Sequence, residues 1–136
     1  MSTIRSGNLS DIPAVLALWR EAESAPTHTD DSPSLTKLIE RDPHALVVAD
    51  SEGQIVGSVI AGWDGWRGSI YRLAVAPDVR RTGLGRRLVA EAEQRLEGLG
   101  ARRLQTIVVA TDAHATGFWR SSGWEEQVAR LRFVMG

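Results

Sequence analysis

The chemistry-bearing residues of this chain concentrate in one stretch, Arg80-Arg81-Thr82-Gly83-Leu84-Gly85-Arg86-Arg87-Leu88. It joins an apolar run ending at Pro77 to an amphipathic segment ending near Gly100. Two glycines between a predicted strand and a predicted helix let the backbone turn so that successive N–H groups converge. The helix start adds partial positive charge and the four arginines add full charges, a setting suited to a phosphate or pyrophosphate. A nucleotide P-loop needs Gly-Lys-Ser/Thr after a four-residue spacer, and a dinucleotide fingerprint needs a third glycine where Leu88 stands. Neither pattern is present.

The elements that must position this loop follow from periodicity. Thr3–Arg5 is a short strand; Ser10 or Asp11 sits at an N-cap position before a helix with Ile12, Val15, Leu16, Leu18 and Trp19 on its apolar face, ending near Ser24. Residues 25–33 read as a surface loop and Ser34–Arg41 as a second helix. Ala45–Ala49 and Gln54–Trp63 flank the turn Asp50-Ser51-Glu52-Gly53 as a hairpin. The turn at 64–68 leads into Ser69–Val75, making three consecutive antiparallel strands. Leu84–Leu99 is the strongest helix, with Leu84, Leu88, Ala92 and Leu96 at spacing four. Arg103–Val109 suits a buried strand, Asp112–Ser121 a short helix with Gly123 as terminator, and Trp124–Met135 one or two closing strands. The fold class expected is α+β: a mixed, mostly antiparallel central sheet flanked by helices in the order β-α-α-β-β-β-α-β-α-β, forming a single domain over residues 1–136.

Composition narrows the function classes. The 136-residue chain has 43% apolar and 24% charged residues, typical of a soluble globular domain. It lacks cysteine, which excludes disulfides, thiolate metal sites and a cysteine nucleophile. Its three histidines, His28, His44 and His114, have no zinc-like spacing, and no metal is expected. A net charge of −1 disfavours nucleic acid as partner, and the glycines in the arginine-rich loop disfavour it again. No apolar stretch approaches a membrane span, so no membrane partner and a cytoplasmic location are expected.

Placed behind Leu73-Ala74-Val75-Ala76-Pro77, the spacing Arg80-x-x-Gly83-x-Gly85 resembles the acyl-CoA-binding motif of the GNAT acetyltransferase superfamily. The run Asp112-x-x-Ala115-x-x-Phe118-Trp119-x-x-x-Gly123-Trp124 resembles that family's downstream motif, Asn-x-x-Ala-x-x-Phe-Tyr-x-x-x-Gly-Phe/Tyr. Trp63–Ser69 looks like small bacterial members whose substrates are often unassigned.

The resemblance implies acetyl-CoA or coenzyme A as cofactor and transfer of an acetyl group to a primary amine by direct attack in a ternary complex. It places the pyrophosphate on the N–H groups from about Arg81 to Arg86, including Thr82, Gly83, Leu84 and Gly85, with charge from the side chains of Arg80, Arg81 and Arg86. Leu73 and Val75 would bond the pantetheine arm through main chain on a bulged, splayed strand, and an amide near Ala74 would stabilise the oxyanion. Asp112, Ala115 and Phe118 belong to the cofactor motif, although an aspartate there is equally a helix N-cap.

Trp119 replaces the tyrosine that often protonates the leaving thiolate, and an indole N–H is no general acid near neutral pH. Water, an unaided thiolate departure, Tyr71 or Ser122 remain for that step. Glu21, Glu23, Asp30, Asp31 and Asp64 border the expected acceptor region and together suit a cationic amine, with Trp19, Trp63 and Trp66 as aromatic walls. The acceptor stays open, as does a monomer or homodimer. The alternative in another class is a catalytically silent acyl-CoA-binding module.

Overall fold

A computed structural model describes residues 2–22 and 26–136. Two compact units are distinguished, residues 1–106 and 107–136. In the first, the elements run β1 (Thr3–Ser6), α1 (Ile12–Glu21), α2 (Ser32–Arg41), β2 (Leu46–Ser51), β3 (Gln54–Trp63), β4 (Gly68–Val75), α3 (Leu84–Gly98) and β5 (Leu104–Thr106). They build a sheet of order β1-β2-β3-β4-β5 that is antiparallel except for β4 and β5, which are parallel. The expected α+β class and mixed sheet are therefore present.

Neighbouring residues of β3 separate the two faces of the sheet, because successive side chains in a strand point opposite ways. A Cβ at Gly57 would lie 2.9 Å from Leu88 of α3, whereas the next residue, Ser58, meets Trp19 of α1. Leu84, Leu88, Val89, Ala92 and Leu96 of α3 are buried, as are Val15, Leu18 and Trp19 of α1. At Gly68 the approach is so close that a Cβ would stand 2.6 Å from Leu104 and 2.8 Å from Leu96. Glycine is what lets α3 and β5 close over the start of β4. Arg95 of α3 ties this layer down, donating to the Ala61 carbonyl at 2.5 Å and to Asp42 at 2.5 Å.

Helix starts follow local chemistry. Pro33 occupies the first turn of α2 and the Asp31 carboxylate accepts the Ser34 N–H at 2.8 Å, so this helix begins two residues ahead of the expected Ser34. Ahead of α1, Asn8 caps a 3-10 turn, Leu9–Asp11, through a reciprocal capping box with Asp11. Asp11 does not cap α1 itself. Its carboxylate takes the Asn8 N–H and two bonds from the Arg5 guanidinium, at 2.8 and 3.0 Å. The helix end expected near Ser24 lies outside the described residues.

Two expectations are corrected. The strand expected over Arg103–Val109 forms only at Leu104–Thr106, because β4 offers it three partners, Gly68, Ser69 and Ile70. The closing strands expected over Trp124–Met135 are not formed: α4 (Ala113–Arg120) ends the regular structure of the second unit, and Val128, Leu131 and Phe133 are exposed. Apolar content alone suggested a strand there, without partners to pair it. Within that unit Trp119 packs edge-on against Phe118 and Trp124, with ring centroids 5.4 and 4.8 Å apart.

The Arg5 guanidinium holds the Asp11 carboxyl below its ordinary value of 3.8. A carboxyl that is more acidic folded than unfolded stabilises the fold fully above the unfolded value, and loses that contribution as pH falls through the folded one. Asp11→Asn is expected to destabilise the protein by about 1–3 kcal/mol at pH 7, since the Asn8 amide and Arg5 lose a charged acceptor. Urea denaturation at pH 7 and pH 3 should find this difference shrinking at the lower pH.

Candidate functional site

The site begins with one extra residue in β4. On the β5 side of the sheet's closed end, Gly68 donates to the Arg103 carbonyl at 3.0 Å and Ile70 accepts the Thr106 hydroxyl at 2.8 Å. Even-numbered residues thus direct their backbone toward β5 there, while Ser69 and Tyr71 face β3. The register then shifts: Ile60 pairs with Tyr71 but Ser58 pairs with Ala74, so Arg72 and Leu73 together oppose Val59. This is a β-bulge, and Arg72 takes φ +53° within it.

Beyond the bulge the alternation is reversed. Ala76 donates to the Val56 carbonyl at 2.8 Å, and the alternation of an antiparallel ladder makes Ser58 and Ala74 the next pair to exchange bonds. The N–H and C=O of Leu73 and Val75 are left pointing away from β3. Pairing with β5 stops at Ile70 and Thr106, so in the first unit this part of β4 is an open edge. The same alternation aims the Ala74 N–H at β3 and the Leu73 N–H outward.

After a 3-10 turn, Pro77–Val79, the chain reaches the glycine loop. Thr82 pins it by donating to the Val79 carbonyl at 2.7 Å. Arg81 at φ +66° and Gly83 at φ +82° are both left-handed, and such alternation gathers successive N–H groups into a concavity for an anion. The first N–H groups of α3, on Leu84, Gly85 and Arg86, have no acceptor within their helix. The first intrahelical bond is from Arg87 to Gly83, at 3.1 Å. Gly83 is the N-cap and brings no side chain to cover those donors, and a Cβ placed there meets nothing within 4 Å. Arg80, Arg81 and Arg86 are exposed around the loop, with Arg80 reaching the Ala22 carbonyl at 3.4 Å. Arg87 reaches the Ser2 carbonyl at 3.4 Å instead.

In the second unit Asp112 caps α4, its carboxylate accepting the Ala115 N–H at 3.0 Å. Phe118 is half-buried, and Trp119 is buried against it and Trp124. Ser122 donates its hydroxyl to the Phe118 carbonyl at 2.7 Å.

The expected acidic acceptor lining is largely committed elsewhere. Asp30 is ion-paired with Arg72, both half-buried. Asp31 caps α2, and the Ser34 backbone and side chain hold its carboxyl below the usual range. Asp64 accepts the Trp66 and Arg67 N–H groups at 2.8 and 2.7 Å, which lowers it likewise. Its turn lies at the end of the sheet away from the glycine loop, beside a cleft of about 620 Å³ lined by Trp63, Trp66, Leu99, Arg102 and Arg103. Glu21 is exposed and is the one candidate without a partner among the described residues, while Glu23 lies outside them. Of the aromatic candidates, Trp19 is core, and Trp66 is exposed beneath the Arg67 guanidinium at 4.1 Å. Tyr71 is 51% exposed, and its ring lies over Gly62. His44 bonds Ser6 at 3.0 Å, and no group of side chains able to hold a metal occurs among the described residues.

Residues 12–124 match the Acetyltransferase (GNAT) family. The chain belongs to that family. An acetyltransferase of Yersinia enterocolitica is 32% identical over 91% of this chain and 88% of its own length. Another, of Pectobacterium atrosepticum, is 31% identical over 90% of this chain and 86% of its own. The PaiA N-acetyltransferase of Thermoplasma acidophilum, solved with coenzyme A, superposes with a TM-score of 0.81 at 14% identity, covering 93% of this chain and 91% of that one.

This GNAT acetyltransferase is an acyl-CoA-dependent acyltransferase, with acetyl-CoA as its cofactor. The residues fit that cofactor: an uncapped helix start and a left-handed glycine leave main-chain donors and open space for a diphosphate. Sequence reasoning missed Ser58, Arg72 and the Trp19–Ser58 contact. Their signals were a lone hydroxyl inside the apolar run 56–61, and an arginine where the alternation of β4 asks for an apolar residue.

Gly83→Val puts a β-branched residue in a left-handed conformation and fills the space before the donors. Calorimetry is expected to find coenzyme A affinity reduced at least about 100-fold, while circular dichroism keeps the wild-type signature and stability drops by about 1–2 kcal/mol.

Proposed function

We propose that this acetyltransferase moves the acetyl group of acetyl-CoA to a primary amine, of a small molecule or of a protein amino group, by direct attack in a ternary complex. The observation that carries the proposal is the continuity of two sets of main-chain groups. The open edge of β4 at Leu73 and Val75 runs through Pro77 directly into the uncapped start of α3. A diphosphate on the loop 80–86 and an extended polar arm along β4 fit that path. The match of family residues 12–124 across both units supports one catalytic domain over residues 1–136, to which Asp112, Ala115 and Phe118 contribute. A cytoplasmic location is part of the same proposal.

Acetyl-CoA supplies the activated thioester when bound. The chain's own task is to polarise the carbonyl and manage two protons: a C–N bond forms, the C–S bond breaks, the amine loses a proton and the thiolate gains one. The outward N–H of Leu73 is the oxyanion donor the ladder geometry favours, in place of Ala74, whose N–H is directed to β3. Tyr71 is the proposed proton donor to sulfur. Its hydroxyl has no partner among the described residues, it stands two residues before Leu73, and half of it is solvent-exposed. Ser122 is engaged with Phe118 and Trp119 is an indole, which makes Tyr71 the better-placed side chain for that step. Pairing Asp30 with Arg72 removes one anion from the acceptor side, so the proposal specifies an amine and leaves its net charge free.

A panel of primary amines with thiol detection tests the reaction. Faster coenzyme A release in the presence of one amine is expected, and binding of acetyl-CoA with no amine-dependent release would leave a silent binding module. With the responsive amine, Tyr71→Phe is expected to lower kcat about 100-fold at unchanged coenzyme A affinity. An unaltered kcat would remove Tyr71 from the mechanism.

A further inference from the structure

Ser58 is fully buried in β3, in the middle of an apolar run, and pairs with Ala74 at the end of the bulge. Its oxygen accepts the Trp19 indole N–H at 2.8 Å. A serine hydroxyl has a single proton, and with that approach taken by the indole the proton goes to the Arg72 carbonyl, 3.2 Å away. The two bonds thus form a directed relay from α1 through β3 to the bulge of β4.

We propose that Ser58, aimed by Trp19, is a positioning residue that sets the direction of the Leu73 N–H. A trans peptide is planar, so its C=O and N–H point opposite ways. Holding the Arg72 carbonyl toward Ser58 therefore holds the Leu73 N–H away from β3, toward the open edge of β4. The inference rests on the assignment of that edge to the acyl group, and gives the oxyanion donor its anchor.

The anchor has a load to carry. A bulge leaves its peptide outside the regular ladder, and a non-glycine residue in the left-handed region persists only where its surroundings over-determine it. Arg72 is held from both ends. The relay fixes its carbonyl, while its guanidinium pairs with Asp30 and lies 5.3 Å from the centre of the Trp19 ring. Trp19 and Ser58 are 4% and 0% exposed, so water does not compete for either bond. An inert core serine would satisfy its hydroxyl on any nearby carbonyl; this one bonds the carbonyl whose peptide carries the proposed donor.

The full-length protein, its Ser58→Ala variant and the conservative Ser58→Thr variant test this. In the wild type, acetyl-CoA should move the Leu73 amide resonance further than coenzyme A does. In Ser58→Ala that difference should vanish, kcat with the responsive amine should fall about 10- to 100-fold, and coenzyme A affinity should stay within about threefold. Ser58→Thr, which keeps the hydroxyl, should recover most of kcat. An unchanged kcat and Leu73 shift in folded Ser58→Ala overturns the proposal, as does an equal loss in coenzyme A affinity and kcat. Trp19→Phe keeps a ring in the core and removes the indole donor, and serves if Ser58→Ala does not fold. Should no amine release coenzyme A from the wild type, acyl transfer fails, and the Leu73 shift alone decides for or against the anchor.

Discussion

Between Tyr71 and Ala74, β4 carries two residues where β3 carries one, and the direction of every later backbone group in the strand is inverted. Before this point the strand's outward N–H groups are satisfied by β5. After it, those of Leu73 and Val75 lie on the edge of the first unit's sheet that β5 does not pair. A regular β4 would turn the N–H of Ala74 outward instead and direct that of Leu73 to β3. The rest of the first unit serves this local irregularity. Gly68 lets α3 and β5 clamp the regular half of the strand, and the buried pair Trp19 and Ser58 stands behind the irregular half.

The loop after β4 applies a second constraint of the same kind. Arg81 and Gly83 hold left-handed conformations that bend the chain into α3 without a capping side chain. Ordinary helices in this protein do the opposite: Asp31 and Asp112 each spend their carboxylates on the first turn of α2 and α4. The start of α3 has no capping side chain and is surrounded by arginines.

Local patterns made much of this legible. Spacing four along Leu84, Leu88, Ala92 and Leu96 located α3 and its buried face, and the turns at Gly53 and Gly65 located the hairpins. The glycine loop was legible because glycine positions state backbone conformation directly. The partners of charged and polar side chains were not, since they join distant segments. Asp30 and Asp11 read as a site carboxylate and a helix cap, yet Arg72 and Arg5 claim them across 42 and 6 positions. Ser58 read as strand interior because nothing local reveals that an indole 39 positions away would meet it. The terminal stretch misled for the reverse reason, since apolar residues such as Val128 and Phe133 favour a strand only where a neighbour exists to pair it.

The donors of the proposed cofactor path belong to the polypeptide itself, on Leu73, Val75, Leu84, Gly85 and Arg86. Every amino acid but proline supplies such a group, so the path demands a particular shape of the chain and very little of its alphabet. Once the bulge, the left-handed glycine and the helix start are kept, most neighbouring side chains are free to change for packing or for a different acceptor. A protein sharing only 14% of residues holds the same fold.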